Sequence, residues 1–379
     1  MTASTTPMLA KGFHGDFKSP IVQFGDLVTL NYGKSLPARD REPGNIRVYG
    51  SNGQCGWHNA PLRDGPTVIL GRKGQGPLGV EWCPWPFWVI DTAYFVTTDP
   101  ERIDLRYFYY LADYIGLNHL KHGTSNPSLQ REVFYNQAFP LPDLPTQRKI
   151  TGILSAYDGL IENNLRRIRI LEEMAQSLYR EWFVHFRFPG HESTPMVDSP
   201  LGPIPKGWEV KTVEDAVKRF PVGKKYSNKT VNETGTVPVL DQGKSGIIGY
   251  HDDEPGFKAS EENPVIVFAN HTCYQRIIQY PFSAIQNVLP FRSNSAIERN
   301  LYWLHWATKD VIEFNDYKGH WPEFIAKKLI FPPTEVCDAF GKIAETSIRS
   351  IYCLERRNQT LRQTRDLLLP KLLSGQHAP

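Results

Sequence analysis

The segment Asn52-Gly-Gln-Cys-Gly-Trp-His58 recurs in the second half of the chain as Ser245-Gly-Ile-Ile-Gly-Tyr-His251. Both glycines, the following aromatic residue and the histidine coincide. The residues before it repeat as well, since Ile46-Arg-Val-Tyr49 corresponds to Val237-Pro-Val-Leu240. Further matches keep an offset of roughly 190 residues, whereas solenoid repeats are about 20 to 50 residues long. The period therefore predicts one duplicated domain.

Each copy begins with short β-branched or aromatic runs between Gly, Pro and Asn, a pattern typical of strands and turns. A heptad pattern follows. In the first copy it comprises two series, Ile150, Tyr157, Asn164, Leu171, Leu178 and Leu154, Ile161, Ile168, Ala175, Trp182. The second copy keeps the register with more polar members, Phe340, Ser347, Leu354, Leu361, Leu368 and Ala344, Ile351, Asn358, Arg365, Leu372. One such helix could equally pack on its own domain, but two in register favour pairing with each other.

The order of the elements predicts the architecture. Because each helix follows its own β-rich unit, a pseudo-two-fold pair is antiparallel and forms a rod of about 60 Å with one unit at each end. We therefore predict an α+β fold of two globular β-rich units, related by internal duplication and separated by an antiparallel coiled coil. The predicted segments are a first unit at 1–145 (1–14 flexible), a central helix at 146–188, a Pro-rich linker at 189–206, a second unit at 207–333 and a C-terminal helix at 334–379.

Composition excludes several classes of protein. Lys plus Arg number 43 and Asp plus Glu 40, so the net charge of +3 fits neither a polycation nor an acidic disordered chain. No apolar run approaches the roughly 18 to 20 residues that cross a bilayer, and the first ten residues lack a secretory pattern, so we expect a cytoplasmic protein. Five cysteines without a CxxC pair argue against a disulfide framework or a zinc site.

Catalytic motifs are not recognisable. Gly33-Lys-Ser35 and Gly243-Lys-Ser245 lack the first glycine of a phosphate-binding loop, because Val28 and Pro238 stand there. Asn126-Pro-Ser-Leu129 matches only the first two residues of an adenine methyltransferase motif. We therefore predict a chain without a catalytic, metal or cofactor site of its own.

Basic loops occur at matching places in both copies. The second copy has a run without acidic residues, Lys218, Arg219, Lys224, Lys225 and Lys229. The first copy has a more dilute set, Tyr32, Lys34, Arg39, Arg41 and Arg47. A single basic run is more often solvated surface, but its recurrence favours contact with DNA phosphates and base edges.

Several stretches resemble the specificity (S, or HsdS) subunit of type I restriction-modification enzymes, and the resemblance covers essentially the whole chain. Leu171-Glu-Glu-Met-Ala-Gln-Ser-Leu-Tyr-Arg-Glu-Trp-Phe183 and Leu367-Leu-Leu-Pro-Lys-Leu-Leu-Ser-Gly375 resemble its central and C-terminal spacers. Four others resemble its target recognition domains, namely Val48-Tyr-Gly-Ser-Asn-Gly53, Gly71-Arg-Lys-Gly74, Gly202-Pro-Ile-Pro-Lys-Gly-Trp208 and Ser245-Gly-Ile-Ile-Gly-Tyr-His251.

The resemblance implies two target recognition domains, each of which reads one half of a bipartite, asymmetric site in double-stranded DNA. It also implies assembly with two modification subunits, which carry S-adenosylmethionine and methylate adenine, and with restriction subunits that use ATP and Mg to translocate and cleave DNA. The alternative is a self-contained DNA-modifying or DNA-cleaving enzyme with unrecognised catalytic residues. A coiled-coil scaffold that does not bind DNA is a third possibility.

The motif matches predict individual contacts. For DNA they indicate Lys34, Tyr49, Ser51, Asn52, Arg72, Lys73, Thr124, Ser125 and Asn126 in the first unit, and Lys224, Lys225, Gln242, Lys244, Ser245 and His271 in the second. Ser51, Asn52 and Ser245 are equally suited to forming the turn before a glycine. Phe268-Ala-Asn-His-Thr-Cys273 departs from the Gly-Arg-Lys-Gly pattern. For partner subunits we predict docking on exposed spacer aromatics, Tyr179, Trp182 and Phe186.

Overall fold

The computed structural model describes residues 9–15, 17–221, 223–243, 246–314 and 318–374. The chain divides into two compact units. The first unit consists of residues 1–163 and 357–379, and the second of residues 164–356. Each of the two long helices therefore contributes one half to each unit.

Short strands and a few helices make up the first unit up to the long central helix. The strands β1 to β11 are Ile21–Gln23, Val28–Tyr32, Ile46–Gly50, Gly53–His58, Thr67–Gly71, Val80–Cys83, Phe87–Val89, Ala93–Thr98, Lys121–His122, Ser128–Leu129 and Ala138–Pro140. The helices α1 to α3 are Leu105–Ile115, Arg131–Tyr135 and Leu144–Tyr179. A π-helical turn, Arg180–Val184, continues α3.

The rest of the chain also consists of short strands and a few helices, ending in a second long helix. The strands β12 to β22 are Met196–Val197, Ile204–Pro205, Glu209–Thr212, Val217–Arg219, Val237–Leu240, Ile247–His251, Val265–Ala269, Gln275–Ile278, Ser283–Ala284, Val288–Ser293 and Lys328–Phe331. The helices α4 to α7 are Val213–Ala216, Leu301–Thr308, Trp321–Ala326 and Thr334–Leu373.

Both units have the same strand order. The first unit has a four-stranded sheet β2-β8-β5-β6, a three-stranded sheet β4-β3-β7 and the pair β1-β11. The second has β15-β21-β18-β19, β17-β16-β20 and the pair β14-β22. In each three-stranded sheet one pairing is parallel and the other is antiparallel with a register shift, at Val48/Tyr49 and at Val239/Leu240. A strand order and an irregularity that recur together allow positions in the two units to be matched one to one.

The hydrophobic pattern accounts for the centre of each unit. The strands β5 and β18 are apolar along most of their length and buried at every position, as expected of strands covered on both faces. The helices α1 and α5 are each capped at the N-terminus by a side-chain oxygen. Asp104 accepts a hydrogen bond from the N–H of Tyr107 at 2.8 Å, and Asn300 accepts one from the N–H of Tyr302 at 3.0 Å.

Several of the predicted heptad positions are buried in the cores of the two units. In the first unit Ile150 and Leu154 of α3 share a core with Leu372 and Leu373 of α7. In the second unit the core includes the seam residues Ala175, Trp182, Phe340, Ala344 and Ile351. The beginning of one helix thus lies with the end of the other in each unit.

The amino-terminal segment differs from the prediction. Residues 1–8 of the segment predicted to be flexible lie outside the described residues. Ala10 and Phe13 are each only 1% exposed, and the N–H of Ala10 donates to the carbonyl oxygen of Ala138 at 2.8 Å. Flexibility is therefore the wrong prediction for the segment around Ala10 and Phe13, because these apolar side chains fill the core of the first unit. No helix in the described ranges is both long and apolar enough to cross a membrane.

A buried histidine predicts that stability falls in mild acid. His305 on α5 is 5% exposed, and the side-chain N–H of Gln275 donates to its carbonyl oxygen at 2.9 Å. Burial, with a smaller contribution from Lys309, lowers the pKa of His305 to about 3, whereas an unfolded histidine titrates near 6.5. Between about pH 3 and pH 6.5 this histidine binds a proton in the unfolded chain but not in the folded chain. Below pH 6.5 we therefore expect this residue to cost stability, at most about 1.4 kcal/mol per pH unit.

The pH dependence is tested by urea unfolding of the full chain between pH 7 and 5. His305→Asn removes the titrating ring and is expected to flatten the pH dependence of the unfolding free energy, even if it lowers its value at pH 7. His185→Asn, which replaces an exposed histidine, is the control and should keep the wild-type slope. Equal slopes for all three proteins would contradict the prediction.

Candidate nucleic-acid interface

A turn at residues 90–92, between β7 and β8, gathers three loops of the first unit. The hydroxyl of Ser51, in the β3–β4 turn, donates to the carbonyl oxygen of Thr92 at 2.9 Å and also to that of Lys73. The N–H of Arg72, after β5, donates to the same Thr92 carbonyl at 2.9 Å. The β5–β6 loop in turn holds the β9–β10 loop, since the N–H of Gly74 donates to the carbonyl oxygen of Pro127 at 3.0 Å. Segments far apart in sequence thus form one polar surface.

A close backbone approach explains the glycine that opens the Gly71-Arg-Lys-Gly74 motif. A Cβ atom on Gly71 would lie 2.1 Å from the carbonyl oxygen of Ser51. No side chain fits there, so a glycine is needed for the β3–β4 turn to reach the β5–β6 loop.

Most of the predicted contacts of the first unit lie on or beside this surface. The side chain of Gln75 donates to the carbonyl oxygens of Thr124 and Ser125 at 3.1 and 3.0 Å, which fixes the β9–β10 loop against the β5–β6 loop. Asn52 and Asn126 are exposed in their loops. The N–H of Lys34 donates to the carbonyl oxygen of Val89 at 2.8 Å, so this exposed lysine lies at the start of the 90–92 turn.

Two of the predicted contacts have a structural role. Tyr49 is 4% exposed and packs with Ile69, Phe87 and Val89, and this burial, helped by Cys83, raises the pKa of Tyr49 to about 12. Its assignment as a DNA contact is wrong, because the ring lies in the core. The hydroxyl of Ser51 is committed to two backbone carbonyls, which agrees with the turn-forming alternative.

One cation was missed by the sequence analysis. The Cζ atom of Arg131, at the start of α2, lies 3.8 Å from the ring centroid of Tyr32. Arg72 lies over the same ring at 4.7 Å. Arg131 belongs to none of the recognised motifs, and it is separated from Tyr32 by about a hundred residues, so no local signal could have paired them.

The second unit builds the same frame from different residues. The N–H of Asn270 donates to the carbonyl oxygen of Asn287 at 2.8 Å, as Arg72 does to Thr92. The side-chain oxygen of Gln242 accepts a hydrogen bond from the N–H of His271 at 2.8 Å, which brings these two predicted residues together. His271 also lies 2.9 Å from the carbonyl oxygen of Lys318 through Nδ1. Lys244 and Ser245 lie outside the described residues.

The basic run of the second unit is partly neutralised. Lys224 forms an ion pair with Asp253, which raises the pKa of Lys224 and lowers that of Asp253, and its ammonium lies 5.3 Å from the ring centroid of Tyr226. Lys225 is exposed. Because Tyr226 forms a β-bridge with Ile285, this run lies beside the turn that carries Asn287.

The aromatic residues predicted to dock partner subunits are not an exposed cluster. Trp182 is 9% exposed, and Tyr179 contacts Phe340 with ring centroids 5.9 Å apart. Burial raises the pKa of Tyr179. Phe186 packs edge-on against Trp208 at 5.5 Å. These rings belong to the core of the second unit or pack against it, so the prediction that they are exposed is wrong.

Comparison with known proteins finds similarity to one family of proteins. The model of the family described as type I restriction modification DNA specificity domain matches residues 18–173. The type I restriction enzyme MjaIX specificity subunit of Methanocaldococcus jannaschii is 24% identical over 300 residues, which are 71% of this chain and 68% of that protein. The matched domain at residues 18–173 and the longer alignment with the MjaIX subunit thus both show similarity to type I restriction-modification specificity subunits.

Two further specificity subunits are also similar to this chain. The EcoR124I/EcoR124II specificity subunit of Escherichia coli is 27% identical over 135 residues, which are 34% of this chain and 32% of that protein. The crystal structure of a type I restriction-modification S subunit from M. genitalium is similar along 97% of this chain and 99% of that one, with a TM-score of 0.61 and 16% identity. That likeness shows that the two chains share a fold.

Proposed function

We propose that this chain is the DNA-binding specificity subunit of a type I restriction-modification complex and carries no catalytic centre. Its role is to bind a bipartite, asymmetric DNA site in the cytoplasm and to direct adenine methylation and restriction by partner subunits. Residues 1–145 and 207–333 act as the two target recognition domains, α3 and α7 pair as a coiled-coil spacer, and the two units arose by duplication.

One observation carries this proposal beyond the similarity to known specificity subunits. Both units hold a polar loop surface on the same backbone frame, while the side chains on that frame differ. Arg72 in the first unit corresponds to Asn270 in the second. The N–H of each donates to a turn, which precedes β8 in the first unit and β21 in the second. A conserved frame with different side chains is suited to reading two different half-sites, because base-edge contacts depend on side-chain identity.

The proposed partners follow from the same organisation. Two recognition domains on one chain provide two equivalent positions for a modification subunit, so we propose two such subunits in each complex. S-adenosylmethionine, ATP and Mg belong to the modification and restriction subunits in this proposal.

Co-expression with the modification subunit tests the function. We expect the full chain to co-purify with that subunit, and single-molecule sequencing of the host DNA to reveal methylated adenine in one bipartite motif. Cells that express the modification subunit alone are the control and should lack that motif. Absence of the complex together with absence of the motif would refute the proposal. Methylation or cleavage of DNA by the purified chain alone would favour the self-contained enzyme.

A further inference from the structure

Two guanidinium groups of the first unit converge on one surface tyrosine. The Cζ atoms of Arg72 and Arg131 lie 4.7 and 3.8 Å from the ring centroid of Tyr32, which is 50% exposed. The same two groups lie 5.6 and 5.7 Å from the ring of Tyr94, which packs beside Tyr32 with ring centroids 5.2 Å apart. Stacking on aromatic faces holds both cations in a fixed orientation at the surface.

Neither cation has an anionic partner in the described part of the chain. Arg72 donates one side-chain hydrogen bond, to the carbonyl oxygen of Asp91 at 2.9 Å. The side chain of Arg131 makes ring contacts but no hydrogen bond or ion pair with any described residue. Two like charges held on one ring repel each other, and this cost is relieved when an anion binds between them.

The second unit shows that the fold does not need the two tyrosines. Val28 pairs with Thr98 in the first unit, and Val217 pairs with Ser293 at the matching place in the second. Tyr32 lies four residues after Val28, so its equivalent is Pro221, four residues after Val217. Ala93 pairs with Gly71 in the first unit, as Val288 pairs with Ala269 in the second. Tyr94, the residue after Ala93, therefore corresponds to Leu289.

The two arginines are replaced as well. Asn270 stands in place of Arg72 and hydrogen-bonds in the same way to its turn. The N–H of Leu129 donates to the carbonyl oxygen of Arg72, and that of His320 donates to the carbonyl oxygen of Asn270. The helices α2 and α6 begin just beyond these bonds, and the first residues of α6 are Trp321 and Pro322, so no cation takes the place of Arg131. The frame therefore forms without any of the four residues, which favours a binding role for them over a structural one.

We propose that Tyr32, Arg72 and Arg131 form a binding site for a DNA backbone phosphate, and that the equivalent positions of the second unit lack it. A phosphate carries a full negative charge that offsets the repulsion between the two guanidinium groups, whereas the acceptor edge of a guanine is a neutral dipole. This inference rests on the proposed DNA-binding function and adds an anchor that does not depend on the base sequence.

The test measures DNA affinity of the full chain in complex with co-expressed modification subunits. Fluorescence anisotropy is recorded with duplexes that contain the methylated motif and with scrambled duplexes, over a series of salt concentrations. We expect Arg131→Gln to weaken binding about tenfold on both duplexes at 0.1 M salt, and to reduce the slope of log affinity against log salt by about 1. The variant R72Q/R131Q should lose about 100-fold but reduce the slope by no more than about 1, because both guanidinium groups contact the same phosphate.

The control is Arg148→Gln, which removes the same charge from an exposed side chain of α3 that belongs to none of the predicted DNA contacts. It should change the affinity less than about twofold, and the melting temperature of each variant shows that it is folded. Unchanged affinity of Arg131→Gln would overturn the phosphate site. A loss of affinity confined to the cognate duplex, together with a methylated motif in which one base has become degenerate, would also overturn it. That result would assign Arg131 to a guanine. A wild-type complex that binds neither duplex would instead refute the proposed function.

Discussion

Exchanging the first proposed recognition domain for that of a known specificity subunit should change one half of the methylated motif and leave the other half unchanged. The loops of the first unit that form the polar surface lie between Ser51 and Pro127, and their hydrogen bonds are made within that domain. The original motif should lose its methylation, because discrimination between specific and non-specific DNA is typically a factor of about 10³ or more.

The structure sharpens where the exchange is made. A junction at residue 15, just after the segment predicted to be flexible, would separate Ala10 and Phe13 from their partners. One of these partners is Tyr114, whose ring contacts Phe13 with centroids 5.5 Å apart. An exchange of residues 9–145 keeps these contacts together. The readout is single-molecule sequencing of DNA from cells that carry the modification subunit.

The matched control is the reciprocal exchange of residues 207–333, which should change the other half of the motif. A motif that changes in both halves after either exchange would contradict the assignment of one half-site to each domain. A methylated motif that is unaltered by both exchanges would place the specificity outside the recognition domains.

Replacing Asp158 by alanine should destabilise the first unit strongly. Asp158 on α3 is 19% exposed and accepts hydrogen bonds from Arg106 at 3.0 Å, from the hydroxyl of Tyr110 at 2.5 Å and from Arg365 of α7 at 2.7 Å. Burial and the carboxylate of Asp158 raise the pKa of Tyr110. The variant leaves two arginines of this cluster without their shared carboxylate. Removing one partner from a buried ion pair costs about 3 to 5 kcal/mol, and partial exposure favours the lower end.

The measurement is thermal unfolding of the full chain, where a loss of about 3 kcal/mol in a unit of this size lowers the melting temperature by roughly 10 °C. Asp366→Ala is the matched control, because Asp366 pairs with the same Arg365 at 2.8 Å but is 59% exposed. It should cost less than about 1 kcal/mol. Equal effects of the two substitutions would show that Asp158 is not the centre of this cluster.

The heptad register could be derived from the chain alone, but its polar members could not be interpreted. Arg365 occupies a seam position and weakens the pattern when it is read as sequence. In the structure its guanidinium pairs with Asp158, a residue 207 positions away. The same limit applies to Tyr179 and Trp182, because helical periodicity does not distinguish an aromatic residue in a core from one on a docking surface.

Part of the candidate interface was likewise predictable. Glycines at fixed offsets and local basic residues identified the β3–β4 turn, the β5–β6 loop and Arg72, because turn chemistry is a local property of sequence. Tyr49 was misassigned because a strand residue beside a turn has the same sequence context whether its ring is buried or exposed. Arg131 has no local signal because it lies on α2, whereas its partner ring, Tyr32, lies on the distant strand β2.

The repeat, the alternation of β-rich segments with heptads and the glycine-marked turns are properties of the sequence by itself, because they depend on backbone geometry and hydrophobic periodicity over short distances. Which side chains share the interface was decided only by the tertiary structure. The 90–92 turn collects loops from three separate parts of the first unit, and their hydrogen bonds join residues dozens of positions apart. Such contacts depend on how the sheets close, and this information is spread over the whole unit.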